Sequence, residues 1–157
     1  MAKHPSWTQQ FLSEADFDAI TRAIKAAESR TSAEIRVHLE RRVPRRLLFG
    51  RPRDVVTRAH HVFRRLGMHR TRERHGVLVY LAVEDRRLAV VGDAGIHGRV
   101  GDPHWHRVRD VMVERLKSNA PREAIERAVE ELGRALAEHY PRRPDDRNEL
   151  SDEVSVT

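Results

Sequence analysis

Past the middle of the chain, two carboxylates bracket a run of regularly spaced glycines. Asp93 follows an apolar segment, Asp102 precedes Pro103, and Gly92, Gly95, Gly98 and Gly101 lie between or beside them. Carboxylate oxygens, with main-chain groups brought close by glycine, are what a hard cation such as Ca2+ or Mg2+ takes as ligands. Glu34, which opens an alternating segment, is a third candidate ligand. Each has a plainer reading: Asp102 as the N-cap before a proline at the first helical position, Asp93 as a turn residue. His97, His104 and His106 suggest a softer site, but His104 and His106 stand about 200° apart on a helix, so surface histidines are the alternative. Glu84 and Asp85 lie in a charged turn expected at the far end of a hairpin. The GxxGxxGxxG spacing is not a dinucleotide fingerprint, and the chain has no Walker pattern, no GxSxG, no HExxH and no cysteine.

The elements that would position these residues can be read from periodicity. Ser13 caps a helix with Glu14 and Asp16 in its first turn, Leu12 and Phe17 at staple positions, and an end near Arg30. Glu34–Leu39 alternates, with Ile35, Val37 and Leu39 on one face and Glu34, Arg36 and His38 on a wetter one. Asp54–Leu66 is a helix with a broad apolar stripe, stopped by Gly67. Gly76–Val83 is apolar throughout, as in a strand covered on both faces. Glu84–Arg87 then turns into a third strand, Leu88–Val91. Helices follow from Asp102-Pro103 and from Asn119–Pro121, the last closing at Tyr140-Pro141. The predicted fold class is α/β: a small mixed sheet of three or four strands in the order α-β-α-β-β-α-α. The first two strands are parallel through a crossover, and the third is antiparallel to the second. Residues 1–12 form an N-terminal extension, 13–141 a single domain, and 142–157 a polar, flexible tail whose acidic stretch Asn148–Val154 could fold back onto a basic surface.

The chain has 157 residues and a formal net charge of +6, enough for one domain with a real core. No apolar run approaches the roughly 20 residues a membrane span requires, and MAKHPSWTQQ has no apolar signal region, so the cytoplasm is the expected location. Nearly all the positive charge is arginine, and six of the arginines fall within Arg41–Arg53. That segment is expected to be an exposed loop, with Leu47, Leu48 and Phe49 tucked onto the core or forming an apolar tip at a membrane surface. A basic chain can bind nucleic acid or anionic lipid; solubility is the plainer reading, since the arginines are spread over most of the chain.

Several of these features, taken in order, resemble the TPM domain family in its compact bacterial form. They are Thr31-Ser32-Ala33-Glu34-Ile35-Arg36-Val37, the helix with Ala59 and Phe63, Leu66-Gly67-Met68, His75-Gly76-Val77-Leu78, the turn Glu84-Asp85-Arg86, Gly92–Asp102, and the acidic Asn148–Val154. The resemblance runs from about residue 13 to 140. It implies a sheet flanked by helices and a divalent-metal site at the loops. It also implies either a weak acid phosphatase activity or an accessory or repair role beside a membrane-associated protein. His97 stands where exported relatives carry an acid, which moves the expected ligand set onto Asp93.

Three functions follow as expectations. The first is a non-catalytic or weakly catalytic module holding Ca2+ or Mg2+ through Asp93, Asp102 and Glu34 and partnering another protein. The second is a metal-dependent acid phosphatase in which Arg36 or Arg99 clamps phosphate, with His97 nearby. The third is a binder of nucleic acid or anionic lipid through Arg41–Arg53.

Overall fold

The computed structural model describes residues 3–44, 54–71, 75–93, 96, 102–118, 120–145 and 150–157, with 102–104 described by backbone alone. Helix α1 (Glu14–Glu28) opens with a full capping box: Asp16 N–H donates to Ser13 Oγ, and Ser13 N–H donates to Asp16 Oδ2. Strand β1 is Glu34–Glu40. Helix α2 (Val55–Arg65) is capped by Asp54 and ends at Leu66, and Gly67 then takes a left-handed φ of 72°. After a short 3-10 turn at Met68–Arg70 come β2 (Gly76–Ala82) and β3 (Arg87–Gly92). Helices α3 (Asp102–Lys117) and α4 (Pro121–His139) follow, and the chain closes with β4 (Ser155–Val156). The sheet order is β3-β2-β1-β4. β1 is parallel to β2 and to β4, and β2 is antiparallel to β3. The α/β class and the order of elements agree with the sequence reading.

Two apolar layers sandwich the sheet. Ile35, Val37 and Leu39 of β1 and Val77, Val79 and Leu81 of β2 face α1, α3 and α4. Leu78, Tyr80 and Ala82 face α2 and the 3-10 turn through Ala59, Val62, Phe63 and Met68. The uninterrupted apolar run of β2 follows directly, since every residue of that strand is buried.

The second face of β1 departs from expectation. Glu34, His38 and Glu40 are buried, Glu34 and His38 beneath the C-terminal segment and Glu40 beneath Arg58 of α2. Arg58 reaches down from α2 with Nε on Glu40 Oε1 (2.8 Å) and Nη2 on Oε2 (2.7 Å), and Tyr80 Oη donates to Oε1 (2.7 Å). Alternation of polar and apolar residues marks an exposed face only when nothing polar is available above it to satisfy the buried groups.

Residues 150–157 also differ from a free tail. β4 pairs with β1 at His38↔Ser155 and Leu39↔Val156, and Val154 is buried. His38 Nδ1 lies 2.6 Å from Ser155 Oγ and Nε2 lies 2.9 Å from Thr157 Oγ1, while Thr157 Oγ1 donates to Glu40 Oε2 at 2.8 Å. The segment is held by these hydrogen bonds together with Val154 and Val156 against one core layer and Leu150 against the other, too few apolar residues to stand out in a polar stretch. Lys3 pairs with Glu153 at 3.0 Å, a basic contact on the acidic stretch. Residues 146–149 lie outside the described residues, as do 45–53 of the arginine-rich segment, with Leu47, Leu48 and Phe49.

The approach of α1 to α4 depends on one glycine. A Cβ on Gly133 would stand 2.9 Å from Ala27 Cβ. Gly133→Ala is expected to lower stability by about 1–2 kcal/mol despite its better helix propensity, because overpacking outweighs it. The double variant Ala27→Gly/Gly133→Ala should recover most of that loss in urea denaturation. A Gly133→Ala protein as stable as the parent would show that the helices separate freely.

Candidate functional site at one end of the sheet

The register brings Glu34 and Asp93 to the same end of the sheet. Glu34 pairs with Gly76, and Asp93 N–H donates to Gly76 O at 2.9 Å, so the three stand side by side across three strands. The outer two backbones are separated by two strand spacings, about 10 Å. Alternation along β1 and β3 also gives Glu34 and Asp93 the same face. Asp85 is at the opposite end, its Oδ2 accepting from Val43 N–H at 2.7 Å, as a hairpin requires.

Further segments close on this end. Helix α1 stops at Glu28, and Thr31 bridges to Pro141, with Thr31 Oγ1 donating to Tyr140 O at 2.6 Å. Arg142 Nη1 donates to Glu28 O at 3.1 Å, and the His75 and Tyr140 rings lie 4.0 Å apart. Leu150 N–H donates to Glu34 Oε1 at 2.8 Å, which draws in the C-terminal segment and with it Asp152.

The consequence is a buried contact between acids. Burial, then the hydrogen bond and negative charge of Asp152, and then Glu34 push the Glu28 carboxyl up to about 10. Neighbouring buried carboxyl groups favour a retained proton, or a cation in its place. Glu28 Oε1 is buried with no hydrogen-bond donor on it among the described residues. Glu28 and Asp152 were not singled out by sequence reasoning. One signal was available: Glu28 is the last residue of α1, where the helix dipole disfavours negative charge.

Arg36 shares the Glu34 face. It is partly buried, its Nε lacks an acceptor among the described residues, and burial lowers its pKa. Gly92 has a packing explanation, since a Cβ there would meet Ile96 Cγ2 and Trp105 Cζ2 at 3.3 Å. Asp102 opens α3, as expected of a residue before Pro103, while its side chain lies outside the described residues. So do Gly95, His97, Gly98, Arg99 and Gly101. Among the described residues, no group of three or more His, Asp or Glu side chains is set as a ligand cluster. No helix among them is long and apolar enough to cross a membrane.

The two-layered sheet and its carboxylate end define an α/β domain with a TPM-like sequence core. The TPM domain family model matches residues 7–135, so the chain belongs to the TPM domain family. It is similar to the BA42 protein of the psychrophilic bacterium Bizionia argentinensis, solved by NMR. The two share 37% identity over 94% of this chain and 96% of that one, with a TM-score of 0.83. Two further NMR structures share the fold. One is the N-terminal domain of a P. gingivalis protein (19% identity, 83% and 79% of the chains covered, TM-score 0.65). The other is the N-terminal domain of a Corynebacterium glutamicum protein (16% identity, 87% and 86% covered, TM-score 0.52). No curated protein matches the chain.

Proposed function

We propose that this TPM domain takes up a divalent cation, Ca2+ or Mg2+, at the carboxylate end of its sheet. In this reading it serves as an accessory or repair factor for another, membrane-associated protein rather than through strong chemistry of its own. The observation that carries the cation reading is the buried Glu28–Asp152 contact beside Glu34. Carboxylate oxygens suit a hard ion, which would take the place of the proton that the raised Glu28 carboxyl retains. Glu34, Asp93 and Asp102 are the ligands expected from sequence, with Glu28 and Asp152 added to them. The accessory role rests on the family resemblance.

The test is a melting curve with and without Ca2+ or Mg2+. At an ion concentration of 100 times Kd, the gain is about 2.7 kcal/mol. Asp93→Asn and Glu34→Gln should each remove most of it. Calorimetry in buffers of different ionisation enthalpy should show close to one proton released per ion at pH 7, from Glu28. A shift that persists in both variants, or uptake without proton release, would sink this reading.

A second reading, hydrolysis of phosphomonoesters, draws on the Arg36 guanidinium beside the same acids, which could clamp a phosphate. Turnover that survives both Arg36→Ala and Asp93→Asn would count against it.

A further inference from the structure

One edge of β1 is paired throughout and the other only in part. Among the described residues, β2 pairs with all of Glu34–Glu40, whereas β4 pairs with His38 and Leu39 alone. The β4 ladder ends with Thr157 N–H donating to Leu39 O at 3.0 Å. Few apolar side chains hold β4 and the residues before it: Val154 is buried, and Leu150 and Val156 are partly buried. Upstream, Arg142 is tied down separately, its N–H on Arg30 O at 3.3 Å and its Nη1 on Glu28 O at 3.1 Å. A short strand with a small apolar footprint, following a separate anchor, is the kind of unit that opens locally without unfolding the domain.

What this edge reads is set by His38. The ring is fully buried, and burial, against the attraction of Glu40, holds it down to about 4, so at pH 7 it is neutral with one nitrogen as donor and the other as acceptor. Thr157 Oγ1 spends its one hydrogen on Glu40 Oε2 at 2.8 Å, so toward the ring it accepts, and Nε2 carries the imidazole hydrogen. Nδ1 then accepts from Ser155 Oγ at 2.6 Å. Position 157 must therefore accept and donate through one atom, and position 155 must donate; a hydroxyl meets both demands. A carboxylate at 157 would face Glu40 with like charge. An apolar side chain there would leave the buried imidazole N–H without an acceptor and Glu40 short of a donor. The alternate residues, Val154 and Val156, pack on the core layer of the other face.

We propose that the β1 edge around His38 is a strand-addition site for another protein, and that it accepts an extended segment alternating apolar and hydroxyl residues, as Val154-Ser155-Val156-Thr157 does. The chain's own segment occupies the site until such a partner displaces it. An open sheet edge is a template for pairing, in which main-chain hydrogen bonds supply affinity and alternate side chains supply specificity. A partner strand that continued the ladder from His38 toward Glu34 would gain pairs that β4 does not make. The inference extends the accessory reading by naming what such a partner presents, and it needs no ion at the carboxylate end.

The experiment uses the full chain as the double variant Ser155→Ala/Thr157→Val, whose own segment lacks both hydroxyls, in the presence of EDTA. Should that variant fail to fold, Ser155→Ala alone serves as the acceptor. The probe is a synthetic peptide of residues 150–157, and the control is the same peptide carrying Ser155→Ala and Thr157→Val. NMR shifts of the His38 ring and the Leu39 amide report occupancy of the edge. The probe is expected to bind the variant about tenfold or more tightly than the control does, because the control leaves the imidazole N–H unpaired. It should bind the parent protein about tenfold or more weakly than the variant, because there the tethered segment competes at high effective concentration. In the parent, Thr157 N–H should exchange with solvent about tenfold or more faster than Val79 N–H of β2, relative to their intrinsic rates. No binding of the probe to the variant at millimolar peptide, equal affinity for probe and control, or Thr157 exchange no faster than that of Val79 would each overturn the proposal. Loss of peptide binding leaves the cation effect on melting standing, and absence of that effect leaves peptide binding standing, so the two readings fail separately.

Discussion

Arg58→Ala is expected to lower the unfolding free energy by about 3–5 kcal/mol at pH 7, because it leaves Glu40 buried without the one opposite charge paired with it among the described residues. The Arg58–Glu40 pair is bidentate, and the two side chains are 15% and 8% exposed. Burial pushes the Glu40 carboxyl up. The hydrogen bonds from Arg58, Tyr80 and Thr157 outweigh it and hold the group at about 2. The folded pKa thus lies below the ordinary value of 4.5, so the stabilisation is complete above pH 4.5 and is lost as pH falls from there toward 2. Burial lowers His38 to about 4 from 6.5, which adds an earlier acid limb. Between those values the unfolded chain takes up a proton that the folded one refuses, so stability falls as pH drops from 6.5 to 4.

In Arg58→Ala, Glu40 becomes an unpaired acid, and protonating it relieves the defect. The gap between parent and variant should therefore narrow steadily from pH 7 to pH 3 in urea titrations. A gap below about 1 kcal/mol, or one independent of pH, would mean that Tyr80 and Thr157 alone sustain the carboxylate. Replacing both partners, as Arg58→Met with Glu40→Gln, should recover part of the loss, since a buried pair is more costly to break than to remove.

Glu28→Gln should act in the other direction. With the Glu28 carboxyl pushed up to about 10, the folded protein holds a proton that the unfolded chain releases above 4.5. Folding is therefore progressively penalised as pH rises through that window. An amide can donate to Asp152 without any proton to retain. The cation-free variant should be more stable than the parent by on the order of 2–4 kcal/mol at pH 8, and about equal to it near pH 4.5. Adding Ca2+ or Mg2+ should narrow the difference, because the variant lacks one of the five proposed ligands and gains less from the ion. If the variant is less stable than the parent at pH 8, or differs from it equally at pH 5 and pH 8, Glu28 is not a strained acid and the cation reading loses its main support.

Local signals in the sequence carried most of the architecture. Ser13 with Asp16, Asp54 with Gly67, and Pro121 mark helix ends because capping is chemistry within one turn of chain. The apolar run of β2 announced a strand covered on both faces. Glu34 and Asp93 could be placed at one end, and Asp85 at the other, once two parallel strands and a hairpin were read. The unaided reading went astray where the deciding contact lies far away in sequence. Arg58 is 18 residues from Glu40, and Asp152 lies beyond the last helix, so neither spacing nor period links them to β1.

By itself, then, the sequence determined the element order, the mixed sheet, the family and the end of the sheet to which Glu34 and Asp93 belong. All of these follow from caps, turns and periodicity, which act over a few residues. The tertiary structure decided what surrounds them. It buried the polar face of β1 beneath Arg58 and the C-terminal segment, laid residues 150–157 along its edge, and brought Asp152 near the buried Glu28. The charge state of a buried group and the shape of a cleft depend on what several distant segments place together, and no local pattern records that.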